Sequence, residues 1–309
     1  MNSSVGGFSR LSSTFSIVAF DPHNNDLGVG VQSRYFSVGS AVPWAKAEVG
    51  AVATQSFVNF TYGPKGLDLL GKGLAVDEVV DALTREDAGR EFRQLGIVDA
   101  KGNAASFTGK SCLDLAGSRI GKGYAVQGNI LAGKEVVDRM AGMFESTKGE
   151  LAERIMAALK GGEEAGGDAR GRQSSAILVV RKDSKGPGAD RLIDLRVEDH
   201  KDPIGELQRL LAMNRVYRLI DEGEELMTKG KNAEAVRYID EAIALNPNVD
   251  DAFIDLGMIN LKMGRRDEAL GALRRALELN PRMKHLIPQL AKSGMMELDS
   301  EMMRRLGLE

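Results

Sequence analysis

Thr14 stands where a run of small polar residues, "LSS", gives way to the alternating apolar stretch "TFSIVAF". A threonine hydroxyl is a weak nucleophile that normally borrows a base, whereas an N-terminal threonine carries one in its own free α-amine. That amine titrates near pH ~8 in model peptides, so at neutral pH a useful fraction is ready to accept a proton. The chemistry requires that nothing precede Thr14, and thirteen residues stand before it in this sequence. With the chain uncut, a β-branched residue opening a strand is the ordinary role for threonine here. Other familiar chemistries lack their residues. The three histidines, His23, His200 and His285, are scattered without metal-ligand spacing, which disfavours both zinc and a serine-histidine triad. Cys112 is the single cysteine, so there is no intrachain disulfide; it fits a reducing compartment and reads as a small buried apolar residue. In "GNAASFTGKS" six residues separate Gly102 from Gly109, where a phosphate loop has four. In "GKGYAVQGN" the strand follows the glycines instead of preceding them, the reverse of a dinucleotide site. No metal and no organic cofactor is expected.

The elements that must position Thr14 follow from periodicity. Strand patterns occur at 14–20, 27–32, 49–55, 95–99, 124–127, 174–181 and 192–197, and helical patterns at 67–70, 76–83, 134–144 and 151–159. The first two strands, joined by "DPHNND", predict a hairpin, and the sequence of strands, helices and strands predicts a layered α+β domain. With 309 residues the chain has room for about two domains. Its 41 basic and 44 acidic residues give no field that would attract nucleic acid or an anionic membrane. No apolar run has the length of a secretion signal or a membrane span, so a cytoplasmic location is expected.

Composition shifts near residue 200, where glycine thins and helix formers take over. Gly223, Gly230, Ala235, Ala242 and Pro247 recur 34 positions later as Gly257, Gly264, Ala269, Ala276 and Pro281. That is the tetratricopeptide period, with small residues where paired helices approach and Asn-Pro steps where the second helix stops. Residues 284–309 read as a capping helix. Such arrays generally bind peptide segments of partners, and packing or dimerisation is an equal alternative for so short an array.

The motifs "TFSIVAFDP", "GVGVQSR", "VPWAKAEVGAVATQ", "YGPKGLDLL", "YAVQGN", "LAGKEVV" and "GGDARGRQSSA" together resemble a branch of the N-terminal nucleophile (Ntn) hydrolase superfamily, the domain of unknown function 1028. The resemblance runs from about Thr14 to Asn214 and implies an αββα sandwich of two stacked antiparallel sheets between helical layers. It makes Thr14 the nucleophile, which in relatives usually follows the initiator methionine directly; the thirteen residues before it here imply self-cleavage after Ser13, a misassigned start or loss of activity, in that order. Likeness to threonine hydrolases of the proteasomal type places Gln32, Ser33 and Arg34 near the nucleophile, with Gln32 where those enzymes carry an acid. It implies that Asp168 and Ser174 hold the amine, and that Asn129 and the backbone of Gly128 supply oxyanion donors. Arg34, Arg170 and Arg172 are candidates to fix a substrate carboxylate by bidentate pairing. For each of these residues, bracing of a glycine-rich loop or turn is the competing role.

The sequence therefore predicts three parts: an N-terminal extension or propeptide, 1–13; an Ntn-hydrolase-like α+β sandwich, 14–214; and a small all-α tetratricopeptide domain, 215–309, of two repeats and a cap. The expected activity is cleavage of an amide or peptide bond through a Thr14 ester, on a small amide or peptide substrate, in a chain that forms a homodimer. The alternative is a non-catalytic adaptor whose repeats recruit a protein partner.

Overall fold

The computed structural model describes residues 11–12, 14–113, 115–182 and 189–308. The chain divides into two compact units, residues 1–210 and 211–309.

The first unit holds two antiparallel sheets. In one, β1 (Leu11–Ser12), β5 (Gly50–Phe57), β6 (Arg93–Asp99) and β7 (Ala104–Thr108) lie in that order, with β4 (Pro43–Lys46) also paired to β5. In the other the order is β11 (Arg191–Val197), β10 (Ser174–Val180), β3 (Asp26–Ser33), β2 (Thr14–Asp21), β9 (Tyr124–Asn129) and β8 (Gly117–Gly121). Helices α1 (Tyr62–Gly71) and α2 (Val76–Arg85) cover the first sheet, where Val52, Leu95 and Ile97 pack with Tyr62, Val79 and Leu83. Helices α3 (Glu135–Ser146) and α4 (Leu151–Glu164) cover the second. Between the sheets Val18, Val29 and Val31 meet Ala51, Ala53 and Val98. The first unit is thus the αββα sandwich that the resemblance implies.

The alternation in "GVGVQSR" builds these layers. Its valines point into the inter-sheet core, and its glycines face α4. A Cβ at Gly30 would lie 2.3 Å from Ile155 Cγ2, and one at Gly28 would lie 2.7 Å from Ile155 Cδ1. Only a strand without side chains on that face lets the helix come so close. Strands β1, β4, β7 and β8 are absent from the periodicity reading: β1 is two residues long, β4 and β8 are short and half-exposed, and β7 lies within "GNAASFTGKS", which holds a strand and not a phosphate loop.

The second unit begins within the long helix α5 (Pro203–Thr228) and continues with α6 (Asn232–Leu245), α7 (Asp250–Lys262), α8 (Arg266–Leu279), α9 (Met283–Lys292) and α10 (Ser300–Leu306). The 34-residue period is a packing period. A Cβ on Gly223 would meet Ile239 at 2.7 Å, and one on Gly257 would meet Leu273, 34 residues on, at the same distance. The expected single capping helix is two helices, α9 and α10. Gly294 lies between them with φ of +76°, a left-handed conformation that breaks helical continuity.

Candidate active site

Four residues form one row across the second sheet. Asn129 of β9 pairs with Thr14 of β2, Thr14 with Ser33 of β3, and Ser33 with Ser174 of β10. All four are fully buried. Neighbouring strands lie about 4.8 Å apart, so Asn129 and Ser33 flank Thr14 at roughly that distance on either side. Thr14 Oγ1 donates to Ser33 Oγ at 3.2 Å.

The polypeptide changes sheets at this point. Leu11 and Ser12 pair with Phe57 and Ser56 of β5 in the first sheet, whereas Thr14 begins β2 in the second. Ser13 and residues 1–10, on which self-cleavage and the propeptide reading fall, lie outside the described residues.

Asp168 anchors the loop below the row. Its carboxylate accepts from the backbone N–H of Arg34 (2.8 Å) and of Arg170 (2.9 Å), and from the Arg170 guanidinium at 3.2 and 3.3 Å. Its side chain is fully buried while that of Arg170 is one-third exposed, so the charge is held by fixed donors from both sides. The same loop is laced to the segment after Asn129: Leu131 bridges Asp168, and the Ala169 N–H donates to the Ile130 carbonyl at 3.0 Å. Ile130 has φ of +50°, a left-handed conformation that is strained for a β-branched residue. This turn sets the segment that follows the Asn129 end of the row against the Asp168 loop.

The other sequence candidates divide. Ser174 Oγ donates to the Tyr35 carbonyl and accepts from the Val38 N–H at 3.0 Å, so its hydroxyl braces the loop after β3. Arg34 is exposed at the rim, with Nη1 donating to Gln173 Oε1 at 2.7 Å. The guanidinium of Arg170 engages Asp168, and that of Arg172 pairs with Glu163 at the end of α4. Burial raises the Glu163 carboxyl above its usual range against the pull of Arg172. Gln32 is not brought to Thr14. It pairs with Phe15 and Ser175 on the α4 side of β3, one residue out of phase with Ser33, and is fully buried with neither end of its amide hydrogen-bonded. A one-residue step in a strand reverses the face.

A family model described as a family of unknown function, DUF1028, matches residues 14–207. The chain belongs to that family. A tetratricopeptide-repeat model matches residues 226–287 of the second unit. The crystal structure of protein SPO2555 from Silicibacter pomeroyi, assigned to DUF1028, is similar at 32% identity and a TM-score of 0.59, covering 65% of this chain and 88% of its own. Anbu (ancestral beta-subunit) from Yersinia bercovieri is 11% identical with a TM-score of 0.33, covering 63% of this chain and 92% of its own. No curated protein matches.

In this DUF1028 domain a buried amide network lies behind the row, and sequence reasoning passed over most of it. Gln127 Nε2 donates to Ser16 Oγ (2.6 Å), whose hydroxyl donates to Gln55 Oε1 (2.6 Å). Gln55 Nε2 donates to Gln94 Oε1 (2.8 Å) and to the Thr14 carbonyl (3.3 Å). Asn129 Nδ2 donates to Gln94 Oε1 (3.0 Å), and Gln94 Nε2 donates to the Gly128 carbonyl (2.8 Å). The network fixes the amide of Asn129 and polarises the carbonyl of Thr14 in a low-dielectric layer. The signal was present in the sequence: "AVATQ", "RQLGIVD" and "YAVQGN" each set a glutamine beside a run of apolar strand residues.

Asn59 and Tyr62 are structural supports. Both donate to Asp87 Oδ2 at 3.0 Å, alongside Arg93 Nε at 2.9 Å. Burial works against the Asp87 charge, but these donors and the Gly89 N–H hold its pKa down at about 2.

Among the described residues, no helix is long and apolar enough to cross a membrane.

Proposed function

We propose that the chain is the precursor of an N-terminal-threonine amidohydrolase, with residues 1–13 as propeptide, 14–214 as the hydrolase part and 215–309 as the repeat part. One observation carries the reading: Thr14 opens β2 with its hydroxyl on Ser33, directly after a segment that is paired into the opposite sheet. In self-cleavage, Thr14 Oγ1 attacks the Ser13 carbonyl carbon while its proton passes towards Ser33. The C–N bond breaks as the Thr14 nitrogen gains a proton and becomes the free α-amine, leaving an ester on Oγ1 that water opens to a Ser13 carboxylate and the Thr14 hydroxyl. In turnover that amine takes the hydroxyl proton through water. Thr14 attacks the substrate amide carbon, the amine product leaves, and water hydrolyses the ester. Asn129 and the backbone at Gly128 are the proposed oxyanion donors. Asp168 is the proposed orienting charge, and its effect is to raise the amine's pKa. Arg34, exposed at the rim, is the proposed contact for a substrate carboxylate. The scheme uses no metal or organic cofactor.

Intact mass and N-terminal sequencing of the wild type and Thr14→Ala test this reading. Loss of residues 1–13 in the wild type and their retention in the variant are expected. A full-length chain in a preparation that hydrolyses amides overturns it. The tetratricopeptide match favours a second reading, since such repeats generally mediate protein–protein interaction: a non-catalytic adaptor that stays full-length while binding a partner. In either case a cytoplasmic protein, assembled as a homodimer, is the form we propose.

A further inference from the structure

The pairing of β1 on β5 describes where the acyl half of a substrate must lie. β4 pairs with the Gly50–Ala53 stretch of β5, and further along the same strand Leu11 and Ser12 pair with Phe57 and Ser56. Release of residues 1–13 therefore uncovers a strand edge at Ser56–Phe57, and exposed edges are templates for an extended chain.

Chemistry links that edge to turnover. The ester formed in self-cleavage joins Thr14 Oγ to the Ser13 acyl carbon, and the ester formed in turnover joins the same oxygen to the substrate's acyl carbon. In both, the chain leading away from the acyl carbon starts from one atom of the enzyme. Resting on the proposed threonine nucleophile, we infer that the substrate is a peptide whose residues before the cleaved bond take the place of β1, paired antiparallel on β5. The residue in the register position of Leu11 then sits opposite Phe57. The Phe57 ring packs edge-on against Phe92 at 5.7 Å, and Phe92 is 46% exposed. An apolar side chain two residues before the one bearing the cleaved carbonyl is the match for such a rim. Directly opposite Ser12, Ser56 carries φ of +67°, so the edge turns where the substrate chain must leave it to reach Thr14.

Two measurements test the inference. In the full chain, Leu11→Pro and Ser12→Pro remove in turn the N–H groups available to β5, and one of the two is expected to slow self-cleavage at least tenfold by intact mass. In the self-processed chain, acetyl-Leu-Ser-Ser-aminomethylcoumarin is expected to exceed acetyl-Ser-aminomethylcoumarin at least tenfold in kcat/KM. Replacing Leu by Asp, or methylating the Leu and Ser backbone nitrogens, is expected to remove that advantage. A small β-lactone, which opens on Thr14 Oγ and adds its whole mass, separates the two levels of the reading. Acylation by the lactone with equal or absent turnover of the peptides overturns the peptide assignment and leaves the nucleophile standing. Absence of acylation in a chain that starts at Thr14 overturns both.

Discussion

Thr14 Oγ1 donates to Ser33 Oγ across 3.2 Å, and Gln32, one residue before Ser33, faces the opposite side of the sheet. The hydroxyl beside the proposed nucleophile is therefore that of Ser33, the only one of these two β3 side chains on the inter-sheet face. Ser33→Ala removes the acceptor of the Thr14 proton while leaving the strand pairings intact. The expected outcome is self-cleavage slowed about 10- to 100-fold, or about 1.4–2.7 kcal/mol of barrier, followed by time-resolved intact mass. An unchanged rate removes Ser33 from the proton path.

The approach of α4 to β3 sets a second expectation. Gly28→Ala would place a Cβ 2.7 Å from Ile155 Cδ1, an atom that valine lacks. Overpacking of this kind costs about 1–3 kcal/mol. Trp44 is the single tryptophan and lies in the first unit, so its fluorescence reports unfolding there. Chemical denaturation of the variant is expected to show that loss, and Ile155→Val in the same chain to recover part of it. Strict additivity of the two substitutions removes the contact as the cause.

These glycines also mark how far the sequence could be read. "GVGVQSR" specifies a strand with one apolar and one bare face, and the 34-residue repeat specifies helix pairs that touch at Gly223 and Gly257; both are local patterns with one packing solution. Long apolar strands such as β2 and β10 were legible for the same reason. The row Asn129–Thr14–Ser33–Ser174 was not, because register between strands far apart in sequence is set by tertiary pairing. Resemblance to a motif with an acid at its position set Gln32 near Thr14, and strand phase puts Ser33 there instead. Gln94 and Gln127 stand in apolar strands whose polar residue pattern recognition discounts, and only the facing sheet explains them.

Asp87 makes stability sensitive to acid. Its folded pKa of about 2 is below the ordinary 3.8, so its contribution is complete above pH ~4 and is lost as pH falls through 2. At about 1.4 kcal/mol per unit the effect is up to about 2 kcal/mol. Urea midpoints between pH 5 and 2 are expected to fall more steeply in the wild type than in Asp87→Asn. Parallel slopes assign the acid sensitivity elsewhere.

The second unit contains a group of opposite sign. Asp255 of α7 is 7% exposed, and its pKa is pushed up to about 7, first by burial and then by the charges of Glu224, Asp251 and Asp221. Its protonated form is favoured in the folded chain, so between pH ~4 and 7 folding takes up a proton. Stability must then fall as pH rises through that window, the reverse of Asp87. Asp221 occupies the same position one repeat earlier, 34 residues before Asp255, so the two carboxyls are stacked by the repeat itself. The expected cost of ionising Asp255 is a few kcal/mol, at about 1.4 kcal/mol per unit. Hydrogen exchange resolves it by location: α7 amides, corrected for intrinsic rate, are expected to be better protected at pH 5.5 than at pH 8. Asp255→Asn is expected to hold the pH 5.5 protection at both. Equal protection of wild-type α7 at the two pH values is the result that removes Asp255 as the cause.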